Sequence, residues 1–138
     1  MRYSQLQTIF WFCYLIITIL LSLLPPYQGL HILSIPRDKY QHFLAYFLLS
    51  SFFPWQQFRL KRITVFLFLT ELGICLEILQ NLLLINRTGD FYDAIANSLG
   101  VVAGIILISF INSAQQATDS KEKKYTAINI TPPRNKLV

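Results

Sequence analysis

Three sets of side chains in this sequence are spaced to act together. His42 and Tyr46 are four residues apart and so share one face of a helix. Thr70, Gly73, Glu77 and Gln80 follow one another at steps of three, four and three. Asp93, Asn97, Gly100 and Gly104 follow at four, three and four. An imidazole, a carboxylate and an amide brought to one level can orient a polar headgroup. His42 or Glu77 can also act as general base on a water or hydroxyl. Asp38, Lys39 and Arg87 flank these sets, and the two cations suit phosphate or a developing negative charge.

The elements that must carry these residues are apolar. Of 138 residues 54% are hydrophobic and only 14% charged, where a soluble domain carries about a quarter. Mean hydropathy is +0.45. The apolar residues gather in blocks near 6–24, 38–55, 63–85 and 91–111. Crossing a bilayer takes about 20 apolar residues, which the first, third and fourth blocks supply. The second block is shorter and carries Pro54 near its end. The expected fold is therefore all-α: a four-helix transmembrane bundle over residues 1–112. The polar, lysine-containing stretch 113–138 is expected as a disordered basic cytoplasmic tail.

The first block is longer than the apolar core of a signal peptide, and "SLLPPYQG" has no small-x-small cleavage site. Pro25 and Pro26 are expected to end a retained helix, because proline lacks the N–H of the next turn. Orientation follows the loop cations. With the N-terminus inside, Arg2, Arg59, Lys61, Arg62, Lys121, Lys123, Lys124, Arg134 and Lys136 are cytoplasmic, against Arg37, Lys39 and Arg87 outside. Both termini are thus expected in the cytoplasm, with the chain in the plasma (inner) membrane. The net charge of +5 follows from this bias and from anionic lipids, without nucleic-acid binding.

In that orientation the polar residues fall in the outer half of the bilayer. Glu77 lies about 12 Å below the end of the third block and Asn97 about 9 Å below the start of the fourth. Tyr46 reaches a similar depth. Glu71 is about 9 Å deeper and points elsewhere, so it is set apart from the cluster.

Simpler roles compete at several positions. Asp90 and Asp93 suit the N-cap and first turn of the fourth helix. Lys39 can snorkel to the interface. Gly100 and Gly104 form a close-packing face, and Tyr40, Trp55 and Tyr92 suit an interfacial belt. His31 stands apart in the first outer loop. Glu77 is harder to explain away, since an ionised carboxylate at that depth needs a partner, and His42, Arg87 and Gln80 are the candidates. No metal or other cofactor is expected. Asp38, His42, Glu77, Asp90 and Asp93 are ligand types, but the usual two-histidine spacing is missing. Cys13 and Cys75 fall inside helices and are expected as apolar filler.

Three blocks, "DKYQHFLAY", "EILQ" and "RTGDFYDAIANSLG", resemble the signature blocks of the VanZ-like family of small bacterial membrane proteins. The first matches through Asp38, Lys39, His42, Phe43 and Tyr46, and the second through Glu77 and Gln80. The third matches through Arg87, Asp90, Asp93, Asn97 and Gly100. The link "LLLIN" before Arg87 departs from the proline or glycine turn common in that family. The resemblance implies a multi-pass plasma-membrane protein of the cell envelope; the family's namesake is tied to glycopeptide (teicoplanin) resistance. It supplies no mechanism.

The expected function is binding of a polar or zwitterionic headgroup in an outward-facing pocket. The ligand would be a membrane lipid or a cell-wall lipid intermediate. The binding residues are Asp38, Lys39, His42, Tyr46, Glu77, Gln80, Arg87, Asp93 and Asn97. Two alternatives use the same cluster. In an intramembrane enzyme, His42 or Glu77 is the base and Arg87 the electrostatic stabiliser. In a small proton-coupled transporter, Glu77 is the coupling site in an oligomer.

Overall fold

The computed structural model describes residues 2–23, 37–83 and 90–130, apart from the side chains of 2–4, 37, 38, 125 and 127–130. The elements are all helices: α1 (Arg2–Leu23), α2 (Arg37–Ser51), α3 (Trp55–Phe58), α4 (Arg62–Leu82) and α5 (Phe91–Ile130). Three segments are long and apolar enough to cross a membrane: Gln5–Leu23, Arg62–Leu82 and Phe91–Lys124. Their outward faces carry large apolar groups, among them Phe10, Leu20, Phe68, Leu82 and Phe91. A protein surrounded by water would rarely expose so many together.

The second helix is shorter than the expected 38–55. α2 has 15 residues, about 22 Å of rise against a hydrocarbon core of about 30 Å. Its end is set by Pro54, which cannot donate the next helical hydrogen bond. The chain resumes in the single turn of α3, which Arg59 closes in the left-handed region at φ 49°, its N–H bonding the Trp55 carbonyl. A helix end leaves carbonyls without intrahelical donors. The Trp11 indole N–H of α1 donates to one of them, Leu49 O, at 2.7 Å. Thr8 of α1 also donates its hydroxyl to the Gln57 side-chain carbonyl of α3.

The core lies among α1, α2, α4 and the first part of α5: Trp11, Leu15, Tyr46, Leu49, Phe53, Val65, Leu69 and Val101. α4 buries Val65, Leu69, Gly73, Leu76, Glu77 and Gln80, one face at helical spacing. α5 meets α2 with almost no side chain between them. A Cβ on Gly100 would lie 2.3 Å from the Phe43 carbonyl oxygen, and one on Gly104 would lie 2.1 Å from Ser50 Oγ. Only glycine allows that approach. Cys13 and Cys75 are exposed rather than filling the core.

The chain divides into two compact units, Met1–Ile106 and Leu107–Val138. In the second, helix runs through Ile130, where disorder was expected from residue 113. Low hydrophobicity prevents a segment from building a core, but it does not prevent extension of a helix that is already nucleated. Ser113, Thr118, Ser120 and Thr126 each donate a hydroxyl to the carbonyl four residues back.

Candidate functional site

The three polar stripes meet. His42 from α2, Glu77 from α4, and Asp93 and Asn97 from α5 are all buried, with exposures of 7%, 6%, 3% and 2%. His42 Nδ1 lies 3.2 Å from Asn97 Oδ1 and 3.9 Å from Glu77 Oε1. His42 Nε2 lies 3.9 Å from Asp93 Oδ2. Because Asn97 Oδ1 can only accept, the contact at 3.2 Å puts a proton on Nδ1.

Each carboxylate has one oxygen anchored and the other turned toward His42. Glu77 Oε2 accepts the Asp90 backbone N–H at 3.1 Å, while Oε1 faces the imidazole. Asp93 Oδ1 accepts from Lys39 Nζ at 3.1 Å, while Oδ2 faces the imidazole. The start of α5 thus supplies both a carboxylate and a backbone donor to one cluster.

Lys39 closes the upper side. Its ammonium donates to Asp90 Oδ2 at 2.5 Å and to Asp93 Oδ1, and it sits 5.3 Å from the centre of the Tyr92 ring. Asp90 also caps α5 by accepting the Tyr92 N–H at 2.9 Å through Oδ1. The Lys39 hydrogen bond, helped by that N–H, holds the Asp90 carboxyl below the usual carboxylate range. Lys39 therefore joins the start of α2 to the start of α5 instead of extending alone to the interface.

Tyr46 lies one turn deeper. Its hydroxyl would be 3.3 Å from a Cβ on Gly73, and Asn97 Nδ2 would be 3.0 Å from the same point. The hydroxyl is fully buried and has no hydrogen-bond partner among the described residues. Gln80 points away from the cluster and donates to the Ser22 carbonyl of α1 at 2.6 Å. Glu71 is exposed, as its spacing implied. The Asp38 side chain and all of Arg87 lie outside the described residues, as do Pro25, Pro26 and His31. Asp90 was left out of the expected binding set, yet its carboxylate pairs with Lys39 and its backbone N–H donates to Glu77. The signal available in the sequence was its position three residues before Asp93, at the start of the same helix.

Beside the cluster runs a groove of about 560 Å³ between α4 and α5. Glu77, Asn81 and Asp90 line it, with Ser98. The rest of its wall is apolar, including Phe66, Ile78, Ile95 and Leu99. Glu77 therefore belongs both to the buried cluster and to the groove wall. No protein-family model, curated protein or solved structure matches the chain.

Proposed function

We propose that this is a VanZ-like integral membrane protein of the bacterial plasma membrane that binds an amphiphile. The headgroup is polar or zwitterionic and rests against Glu77, Asn81 and Asp90, with the apolar chain along the α4–α5 groove. The observation that carries this reading is the groove itself: a long apolar wall with a few carboxylate and amide groups, adjoining a buried polar cluster. The acidic lining favours a headgroup presenting hydroxyls or a cation, and disfavours a bare phosphate approaching Glu77 directly. Four crossings are proposed, with α2 and the α3 turn forming the second. The Lys and Arg distribution supports cytoplasmic termini and an outward-facing site.

Native mass spectrometry of the detergent-purified protein tests the proposal. The expected result is one retained amphiphile per chain, lost in Ile95→Trp, which fills the groove without touching the polar cluster. An unloaded wild type, or equal loading of both proteins, contradicts it. A second reading, an intramembrane enzyme, draws support from His42, whose buried imidazole lies among Glu77, Asp93 and Asn97. Turnover of the retained amphiphile would favour it.

A further inference from the structure

We infer that the Arg62 end of the α4–α5 seam binds one anionic phospholipid, its phosphate on Arg62 and its first methylenes in the cavity alongside. That cavity, of about 290 Å³, is lined by Arg62, Ile63 and Phe66 of α4 and by Val102, Ile105 and Ile106 of α5. All six residues belong to the first compact unit. Arg62 is charged and the other five are apolar. A guanidinium at the edge of an apolar cavity matches a phosphate that carries an acyl chain. A free phosphate would leave the apolar wall unfilled.

This site is separate from the groove beside Glu77. The two share Phe66 and Val102, so they are consecutive stretches of one seam. Their polar ends differ in charge: Glu77, Asn81 and Asp90 line the first, and Arg62 heads the second. Arg62 and Asn81 stand near the two ends of α4, about 28 Å apart along its axis. The hydrocarbon core is about 30 Å thick, so the two ends face opposite interfaces. A lipid of one leaflet reaches about half that depth and cannot serve both. With the termini in the cytoplasm, as proposed, Arg62 faces the inner leaflet. From Arg62 to Phe66 is about 6 Å, which seats the start of a chain whose remainder lies in the bilayer.

Charge at the edge of the cavity selects the headgroup. Arg59, Lys61 and Arg62 fall within four residues, and all three are exposed. The carboxylates of the first compact unit are Asp38, Glu71, Glu77, Asp90 and Asp93. Glu71, the nearest of them along α4, is about 14 Å from Arg62 along the axis. Arginine carries five N–H donors, so one guanidinium can serve a neighbour in the protein and a phosphate together. The dipole of α4 adds to the same field. Its first turn has no acidic residue, and Lys61 at the N-cap makes no side-chain cap. Three cations thus meet the positive end of the dipole, where a negative group is the favoured neighbour. Basic pockets between transmembrane helices on the cytoplasmic side hold anionic headgroups in this way.

The inference rests on the membrane reading of the chain and not on the amphiphile proposal. For the test, the full-length protein in detergent is titrated with phosphatidylglycerol, or with phosphatidylcholine of the same chains. Bound lipid is read by native mass spectrometry. One phosphatidylglycerol per chain is expected, bound in preference to phosphatidylcholine. Its affinity should fall at least about fivefold in Arg62→Gln. It should be unchanged in Lys124→Gln, which removes an equal charge from the distal part of α5. Ile106 is exposed, so Ile106→Trp can fill the cavity without altering charge, and it should fold normally and lose the lipid. That variant decides the matter if Arg62→Gln does not fold. No preference for phosphatidylglycerol, equal loss in Arg62→Gln and Lys124→Gln, or full binding in Ile106→Trp overturns the inference. A retained amphiphile appears at its own mass, so its absence would count against that proposal and leave this one standing.

Discussion

One face of α5 serves two purposes within four turns. Asp93 and Asn97, in its first turns, place polar groups against His42, Glu77 and Lys39. Gly100 and Gly104, immediately below, place bare backbone against Phe43, Phe47 and Ser50. Both halves obey the same helical spacing and both are buried, yet their energetics are opposed. The glycine half gains van der Waals contact from close helix approach. The polar half takes charges out of water, and a buried ion pair often stabilises less than apolar packing would. The lower half therefore holds α2 and α5 together, while the upper half is, on the proposed reading, kept for what it would bind.

Substitutions in the two halves should differ accordingly. The largest effect is expected for Gly100→Leu, since even its Cβ would overlap the Phe43 carbonyl oxygen at 2.3 Å. Overpacking of cores typically costs about 1–3 kcal/mol, and a backbone obstacle should push the loss to at least the top of that range. Size-exclusion yield and thermal melting would both fall. A fully folded Gly100→Leu with wild-type melting would mean that α2 and α5 do not meet at Gly100.

An intermediate effect is expected for Gln80→Ala. Gln80 shares the α4 face with Glu77 but bonds the Ser22 carbonyl, so it belongs with packing. Loss of that buried bond should cost about 1–3 kcal/mol in thermal unfolding and leave amphiphile retention unchanged. Loss of retention at unaltered stability would return Gln80 to the binding site.

The comparison also shows what the sequence made legible. Step sizes alone placed Thr70, Gly73, Glu77 and Gln80 on one face and Asp93, Asn97, Gly100 and Gly104 on another, and all but the half-buried Thr70 are buried. Helical periodicity determines that much. It does not determine which neighbour a residue on a broad face will meet, so Gln80 was grouped with Glu77 although it turns to α1. Nor does it pair residues far apart in the chain: Lys39 with Asp90, or Asp90 with Glu77, requires α2, α4 and α5 to be packed first. α2 proved shorter than its apolar block because Phe52 and Phe53, though apolar, precede a proline that stops the helix. α5 proved longer because extending an existing helix needs no core.

The central claim is that the polar half of this face is kept for binding rather than for stability, and Glu77→Gln tests it most directly. The amide preserves size and can still accept the Asp90 N–H, so the fold loses little while a buried charge is removed. Thermal unfolding and retained amphiphile would be measured on the same purified sample. The account predicts a melting temperature equal to or above wild type, together with loss of the amphiphile. A clearly lowered melting temperature with the amphiphile still bound would contradict it and make Glu77 a structural residue.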